Sequence, residues 1–333
     1  KSRRKRSIRQ LVNNDFNTTL KHITIPRTSG TEGNKIVRNY IISQMRDLGW
    51  NVSVDSFDDK TPYGSKHFSN IIATNNENAC KRVSIACHYD SKYFPLFDFV
   101  GAIDSAVPCA LLIHLAALLR HELDRHRAQN LNPSLQFIFF DGEEAFHLWS
   151  AKDSLYGARH LAEKWHKTQV KNTGNCHLDN ELQRMTALIL LDLIGANNMK
   201  FNNFFANTSY LYLKLMAIGK SFMFTHIISN TVNKQIKAYL TFICNLSIDK
   251  EIPTKQYNNN RNQLFPSSQV YNYGIQDDHE PFLKKGVPIL HLITSPFPPV
   301  WHQEDDDIDH LDFYSINIFE NIFYDFLKSV IRG

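Results

Sequence analysis

Leu135-Gln136-Phe137-Ile138-Phe139-Phe140-Asp141-Gly142-Glu143-Glu144 is the stretch on which the fold turns. Its apolar run has the length of a strand, and a run apolar on both faces fits a central strand covered on either side. Asp141-Gly142 then reads as a turn. Similar short runs lie at Phe68 to Thr74, Val83 to Cys87, Ala187 to Ile194 (closed by Gly195) and Pro288 to Ile293, and Asn51 to Phe57 alternates as a strand does. Helices are expected between them. Residues 34–48 place Ile36, Tyr40, Ile41, Met45 and Leu48 roughly on one face, and Ala106 to Arg120, Leu155 to Lys167, Ser209 to Phe224 and Phe313 to Val330 follow. Strands alternating with helices predict a single α/β domain with a central, mostly parallel (mixed) twisted sheet and helices on both faces. In such sheets, ligands bind beyond the carboxyl ends of the strands.

The 333 residues are 43% hydrophobic and 21% charged, a composition that supports a packed core and argues against disorder. The net charge of +4 owes much to Lys1, Arg3, Arg4, Lys5 and Arg6, so nucleic-acid binding is not expected. That basic tip fits a processing site after Arg6, the flank of a trimmed signal or anchor, or a plain basic tail. Residues 1–33 are read as tail and N-terminal segment and 34–333 as the domain, with a polar, Asn-rich surface excursion at about 225–272. The longest apolar runs are too short to span a bilayer. Five cysteines (Cys80, Cys87, Cys109, Cys176 and Cys244) leave at least one unpaired within the chain. N-x-S/T acceptors at Asn17, Asn51, Asn207 and Asn245 tilt the compartment toward the secretory route.

The chemistry-bearing residues sit just past the expected strand ends. Glu143 and Glu144 are adjacent carboxylates after an apolar strand. If desolvated they need compensation, for which a divalent metal serves, one Glu binding it while the other acts as general base. Taken alone, the pair also fits a solvated acidic turn. His88 and Asp90 follow another strand. Asp104, by itself, is most simply an N-cap for the helix starting near Ala106. Asp192 closes an apolar strand, where a carboxylate is rarely idle. His302, behind Ser295-Pro296-Phe297-Pro298-Pro299, is weak alone. Together, Asp, Glu and His donors from separate strand ends suit a zinc with one open position and match no compact zinc-finger spacing.

At this point the chain resembles a known family. Thr61–Gly64, Phe68–Ile72, Ala86–Phe94, Val100–Cys109, Phe139–Phe146, Asp153–Gly157, Leu190–Ala196, Ile275–His279 and Val287–His302 match the glutaminyl-peptide cyclotransferases, the glutaminyl cyclases of animals, which are zinc enzymes related to the di-zinc aminopeptidases. The likeness runs from about Arg38 to the C-terminus. It implies conversion of N-terminal Gln of peptides and proteins to pyroglutamate with release of ammonia, N-terminal Glu being a further candidate substrate. It implies one zinc per chain on Asp104, Glu144 and His302, and Glu143 as general acid and base. Asp192 would bind the substrate amine and share a hydrogen-bond network with Asp277. Trp149, Ile275, Gln276, Phe297 and Trp301 would line the pocket. It also implies a disulfide between Cys87 and Cys109 beside the site, an oxidising compartment (secreted, or the Golgi lumen), and a monomer without a stable partner. Two departures stand out: the mammalian pattern exchanges His147 and Leu148, which leaves the role of His147 open, and the excursion at 225–272 is longer than the family pattern. The main rival is a di-zinc aminopeptidase, with His88, Asp192 and a bridging Asp104 on a second metal. A second rival is a non-enzymatic descendant of the fold, which would have lost a ligand or the base.

Overall fold

Phe137 and Phe139 point to one side of the central strand and Ile138 and Phe140 to the other, and all four are fully buried. Each such side chain contributes about 1.5–3 kcal/mol on leaving water, which is why both faces of this strand must be covered. The computed structural model of the chain describes residues 16–170, 176–231, 264–271 and 274–332. Six strands, β1 (Asn51–Thr61), β2 (Gly64–Thr74), β3 (Arg82–His88), β4 (Ser134–Phe140), β5 (Met185–Asp192) and β6 (Ile289–Ile293), form one sheet in the order β1-β2-β4-β3-β5-β6. The β1–β2 hairpin and the β2–β4 pair are antiparallel, and β4, β3, β5 and β6 run parallel. The expected mixed, mostly parallel sheet is therefore present. The chain passes from β3 to one neighbour, β4, and from β4 crosses to the other, β5, so the switch in strand order falls at β3. That is where such sheets open a crevice at their carboxyl ends.

On the first face pack α1 (Glu32–Asp47), α2 (Val107–Leu118), α5 (Ser209–Thr231) and α6 (Phe313–Ile331), through Val37, Ile41, Met45, Leu111, Leu115, Leu215, Phe319 and Phe323 among others. On the second lies α4 (Tyr156–Lys167), through Ala158, Leu161 and Ala162. Thr31 caps α1 by accepting from the Asn34 backbone N–H, and Val37, Ile41 and Met45 bury its inner stripe at spacings of four. α3 (Arg120–Ala128) was not expected from periodicity; only Leu123 and His126 of its nine residues are buried. The N-terminal segment joins the core as well: Leu20 and Ile23 of a helix over 16–23 are buried, and Arg27 is wholly enclosed.

Two expectations from the sequence change here. The helix from Ser209 continues to Thr231, and Leu264 and Phe265 return to pack against Phe201 and Tyr212. Residues 232–263 and 272 of the 225–272 excursion, with Cys244 and Asn245, and the basic tip lie outside the described residues. The disulfide expected between Cys87 and Cys109 is a correction: both stand as buried free thiols with their sulfurs 2.7 Å apart, and the Cys109 thiol donates instead to the His88 carbonyl at 3.1 Å. The bond present joins Cys80 to Cys176 across a sequence separation of 96. A closed loop of that size stabilises mainly by restricting the unfolded chain. Replacing both cysteines by Ser is expected to lower unfolding free energy by about 2–4 kcal/mol, read by denaturant titration under non-reducing conditions. An unchanged midpoint would contradict the pairing.

Candidate metal centre

β3, β4 and β5 end side by side, and each delivers acidic or imidazole side chains to one place. His88 is the last residue of β3 and Asp192 the last of β5, while Asp141-Gly142-Glu143-Glu144 turns away from β4. The turn needs Gly142: its φ is +81°, and a Cβ there would come within 2.5 Å of the Phe68 ring. Gly101 (φ +48°) opens the turn that carries Asp104, where a Cβ would strike the Asp104 carbonyl at 2.0 Å. Asp104 does not cap α2; no side-chain cap hydrogen bond is made there, and its carboxylate is buried in the crevice. His302 sits at φ +57°, a left-handed conformation that is unusual for a side chain other than Gly, Asn or Asp and that marks a held position.

Asp104, Glu144 and His302 converge so that one donor atom of each lies within 4.8 Å of the others. The His302 Nε2 is 3.2 Å from Asp104 Oδ2 and 3.1 Å from Glu144 Oε1. Burial opposes a charge on His302, yet Glu144 and Asp104 prevail and carry its pKa up to about 10, so without a metal a proton takes the cation's place. Two buried carboxylates and an imidazole sharing one such point fit zinc in donor type and number. Glu143 stands beside this group and outside it, 6% exposed. Burial pushes its carboxyl well above the usual range, and Glu144, Asp277 and Asp278 push it further.

Around these groups runs a shell of backbone anchors. The two oxygens of Asp90 accept the N–H groups of Glu143 and Glu144, each at 3.2 Å. Asp306 accepts from Ile103 N at 2.7 Å, and its carbonyl from Ala102 N at 3.0 Å, which ties the Asp104 turn to the segment after His302. Asp153 accepts from the N–H groups of Phe146, His147 and Leu148, shaping the loop of Trp149 and leaving His147 at the surface. The Arg27 guanidinium reaches the carbonyls of Tyr89, Val100 and Gly101. Sequence reasoning missed Arg27 and Asp306 altogether, and gave Asp153, quoted only within the family-like segment Asp153–Gly157, no role.

The residues assigned to a pocket fall into three groups. Trp149 donates its Nε1–H to Gln276 Oε1 at 2.8 Å. Phe297 meets Trp301 edge-on at 4.9 Å, and Trp301 stacks on His302 at 4.0 Å. Ile275 packs with Ile103, Leu193 and Ile293. Asp192 and Asp277 are buried, and burial carries both pKa values up to about 6; the charge of Asp277 pushes Asp192 up further, and that of Asp104 raises both. His291, an imidazole inside β6 that periodicity hides, meets Asp277 Oδ2 at 2.7 Å. Two further groups have metal-ligand spacing: His88, Asp104 and Asp192, the set a di-zinc peptidase would use, and Asp277, His279 and His291. In the former, Asp192 Oδ1 is already taken by the Ser105 hydroxyl at 2.9 Å and Leu193 N at 2.8 Å.

A strand-end crevice with an Asp, a Glu and a His converging beside a separate glutamate defines an enzyme of aminopeptidase-like fold, and the profile of Peptidase family M28 matches residues 70–327. The chain is 42% identical to a glutaminyl-peptide cyclotransferase of Drosophila melanogaster over 292 residues, which cover 87% of this chain and 73% of that protein. It is 41% identical to one of Bos taurus, covering 98% and 83%. Its structure matches that of Macrostomum lignano glutaminyl cyclase with a TM-score of 0.76 and 33% identity, over 97% of this chain and 92% of that one. The chain belongs to Peptidase family M28 and, within it, to the glutaminyl-peptide cyclotransferases.

Proposed function

We propose that the protein closes the N-terminal Gln of peptides and proteins into pyroglutamate and releases ammonia, with one zinc on Asp104, Glu144 and His302. The observation that carries this reading is the convergence of those three donors beside a fourth acidic side chain, Glu143, that is not among them. A divalent metal held there supplies Lewis-acid polarisation of the side-chain amide carbonyl. The remaining work belongs to the chain. The substrate α-amine must be neutral to attack, and its free pKa is about 7.7–8.0. Asp192 accepts an amine N–H and aims the lone pair at the amide carbon. Glu143 takes the amine proton as the N–C bond forms and returns it to the amide nitrogen as the C–N bond breaks, so that ammonia leaves and Glu143 is regenerated. Five-membered closure brings proximity of its own, and the site has to fold the substrate back rather than recruit a second reactant. Trp149, Phe297 and Trp301, each between a third and a half exposed, form a rim that keeps out water, whose attack would give glutamate instead.

Incubation with a short Gln-initiated peptide, read by mass, tests the reading. The expected product is lighter by one ammonia, formed without a chelator and absent with one, at one metal per chain. Free amino acids at two metals per chain would establish the peptidase alternative. We further propose an oxidising, secretory compartment, supported by the Cys80–Cys176 bond and by the exposed acceptors Asn17, Asn51 and Asn207.

A further inference from the structure

An ammonium in direct contact with the ligand group belongs to a residue to which neither the sequence nor the proposed reaction gives a role. Lys92 follows β3 by four residues, two beyond Asp90. Its Nζ donates to Glu144 Oε2 at 3.0 Å and to the Ala145 carbonyl at 3.3 Å. The other oxygen of the same carboxylate, Oε1, faces His302 inside the ligand group. The two oxygens of Glu144 are thus divided between the candidate metal position and an ammonium. Little of this is open to solvent: the side chains of Lys92 and Glu144 are 16% and 4% exposed.

A positive charge this close opposes the binding of a second cation, so tight metal binding is not a reason to hold Lys92 here. Two other consequences of the contact are. A carboxylate with both oxygens unengaged can close on a metal through two of them, whereas one with Oε2 held by an ammonium offers a single oxygen. Three one-atom protein donors leave zinc a position for substrate. The ammonium also draws electron density from the Glu144 carboxylate, which leaves the metal more electrophilic.

We infer that Lys92 is a positioning residue that holds Glu144 as a one-oxygen ligand and so keeps a coordination position open. The inference rests on the metal site of the proposed function, though not on its substrate. The experiment strips metal from the parent, Lys92→Met and Lys92→Arg, confirms each folded by its thermal melt, and loads each with Co2+ as a spectroscopic probe. Lys92→Ala replaces the Met variant should that one not fold. The parent and Lys92→Arg are expected to share an intense visible band of low coordination number, and Lys92→Met to lose about half of it or more as Glu144 closes on the ion. In chelator competition Lys92→Met should hold metal at least as tightly as the parent, yet turn over Gln-peptide about tenfold slower or worse. An unchanged cobalt band in Lys92→Met would overturn the inference. So would metal affinity falling together with activity, the mark of a merely structural contact. Neither the cobalt nor the chelator arm uses a peptide, so a parent that binds metal and forms no pyroglutamate refutes the proposed reaction and leaves the role of Lys92 still measurable.

Discussion

Glu143→Gln is expected to lower turnover of Gln-initiated peptides by about 10²–10⁴-fold with metal content and melting temperature unchanged. The substitution keeps shape and removes only the capacity to take up a proton. The backbone N–H of Glu143, which anchors the turn to Asp90, is untouched, and so is the neighbouring N–H of Glu144. The ligand group is Asp104, Glu144 and His302, so an amide at 143 leaves the donors in place. Burial raises the Glu143 carboxyl well above its ordinary range, and removing that buried charge does not harm the fold. Rate and metal per chain measured on one preparation decide the matter. If metal leaves with activity, Glu143 is a ligand; if activity stays, it is not the base.

The sheet was legible because its central strands are apolar on both faces. Val83 to Cys87, Leu135 to Phe140 and Ala187 to Leu191 carry no polar face to confuse with a surface helix, and each lies inside an observed strand. α3 was not legible for the opposite reason: Arg120–Ala128 is polar nearly all round, and its place follows from α2 rather than from a stripe of its own. At the site, Glu143, Glu144, Asp192 and His302 could be found because each follows a strand end. Asp104 is a harder case, since its local sequence reads equally as a helix cap, and only the folded turn shows its carboxylate among the ligands. The residues that stayed hidden act over distance. Arg27 binds carbonyls 62 to 74 positions away, and Asp306 reaches Ile103 across 203. Cysteine pairing is of the same kind. Cys80 and Cys176 are brought together by the fold and not by spacing, while the local pair Cys87 and Cys109, for which the family likeness spoke, stands in sulfur contact at 2.7 Å without a bond.

Asp192→Asn and Asp277→Asn are each expected to lower kcat/KM by about 10²–10³-fold, and the double variant to lose scarcely more than either single one. The reason lies in how the two carboxylates are held. Oδ1 of Asp192 is committed to the Ser105 hydroxyl and Leu193 N, leaving its other oxygen for a substrate amine. Asp277 is fixed from behind by His291 Nε2 and by the Asp278 N–H. Burial raises both pKa values to about 6, and the charge of Asp277 pushes that of Asp192 further up, as expected of carboxylates that ionise one at the other's expense. Acting as a pair, they present a single negative charge to an incoming amine, and an amide at either position changes that charge or the proton it depends on. A group that works as a unit is broken by its first loss, so the second costs little. Two independent contacts would instead multiply, and a double variant weaker than the singles by the product of their separate effects would show that Asp277 supports the fold near the site without sharing the proton of Asp192.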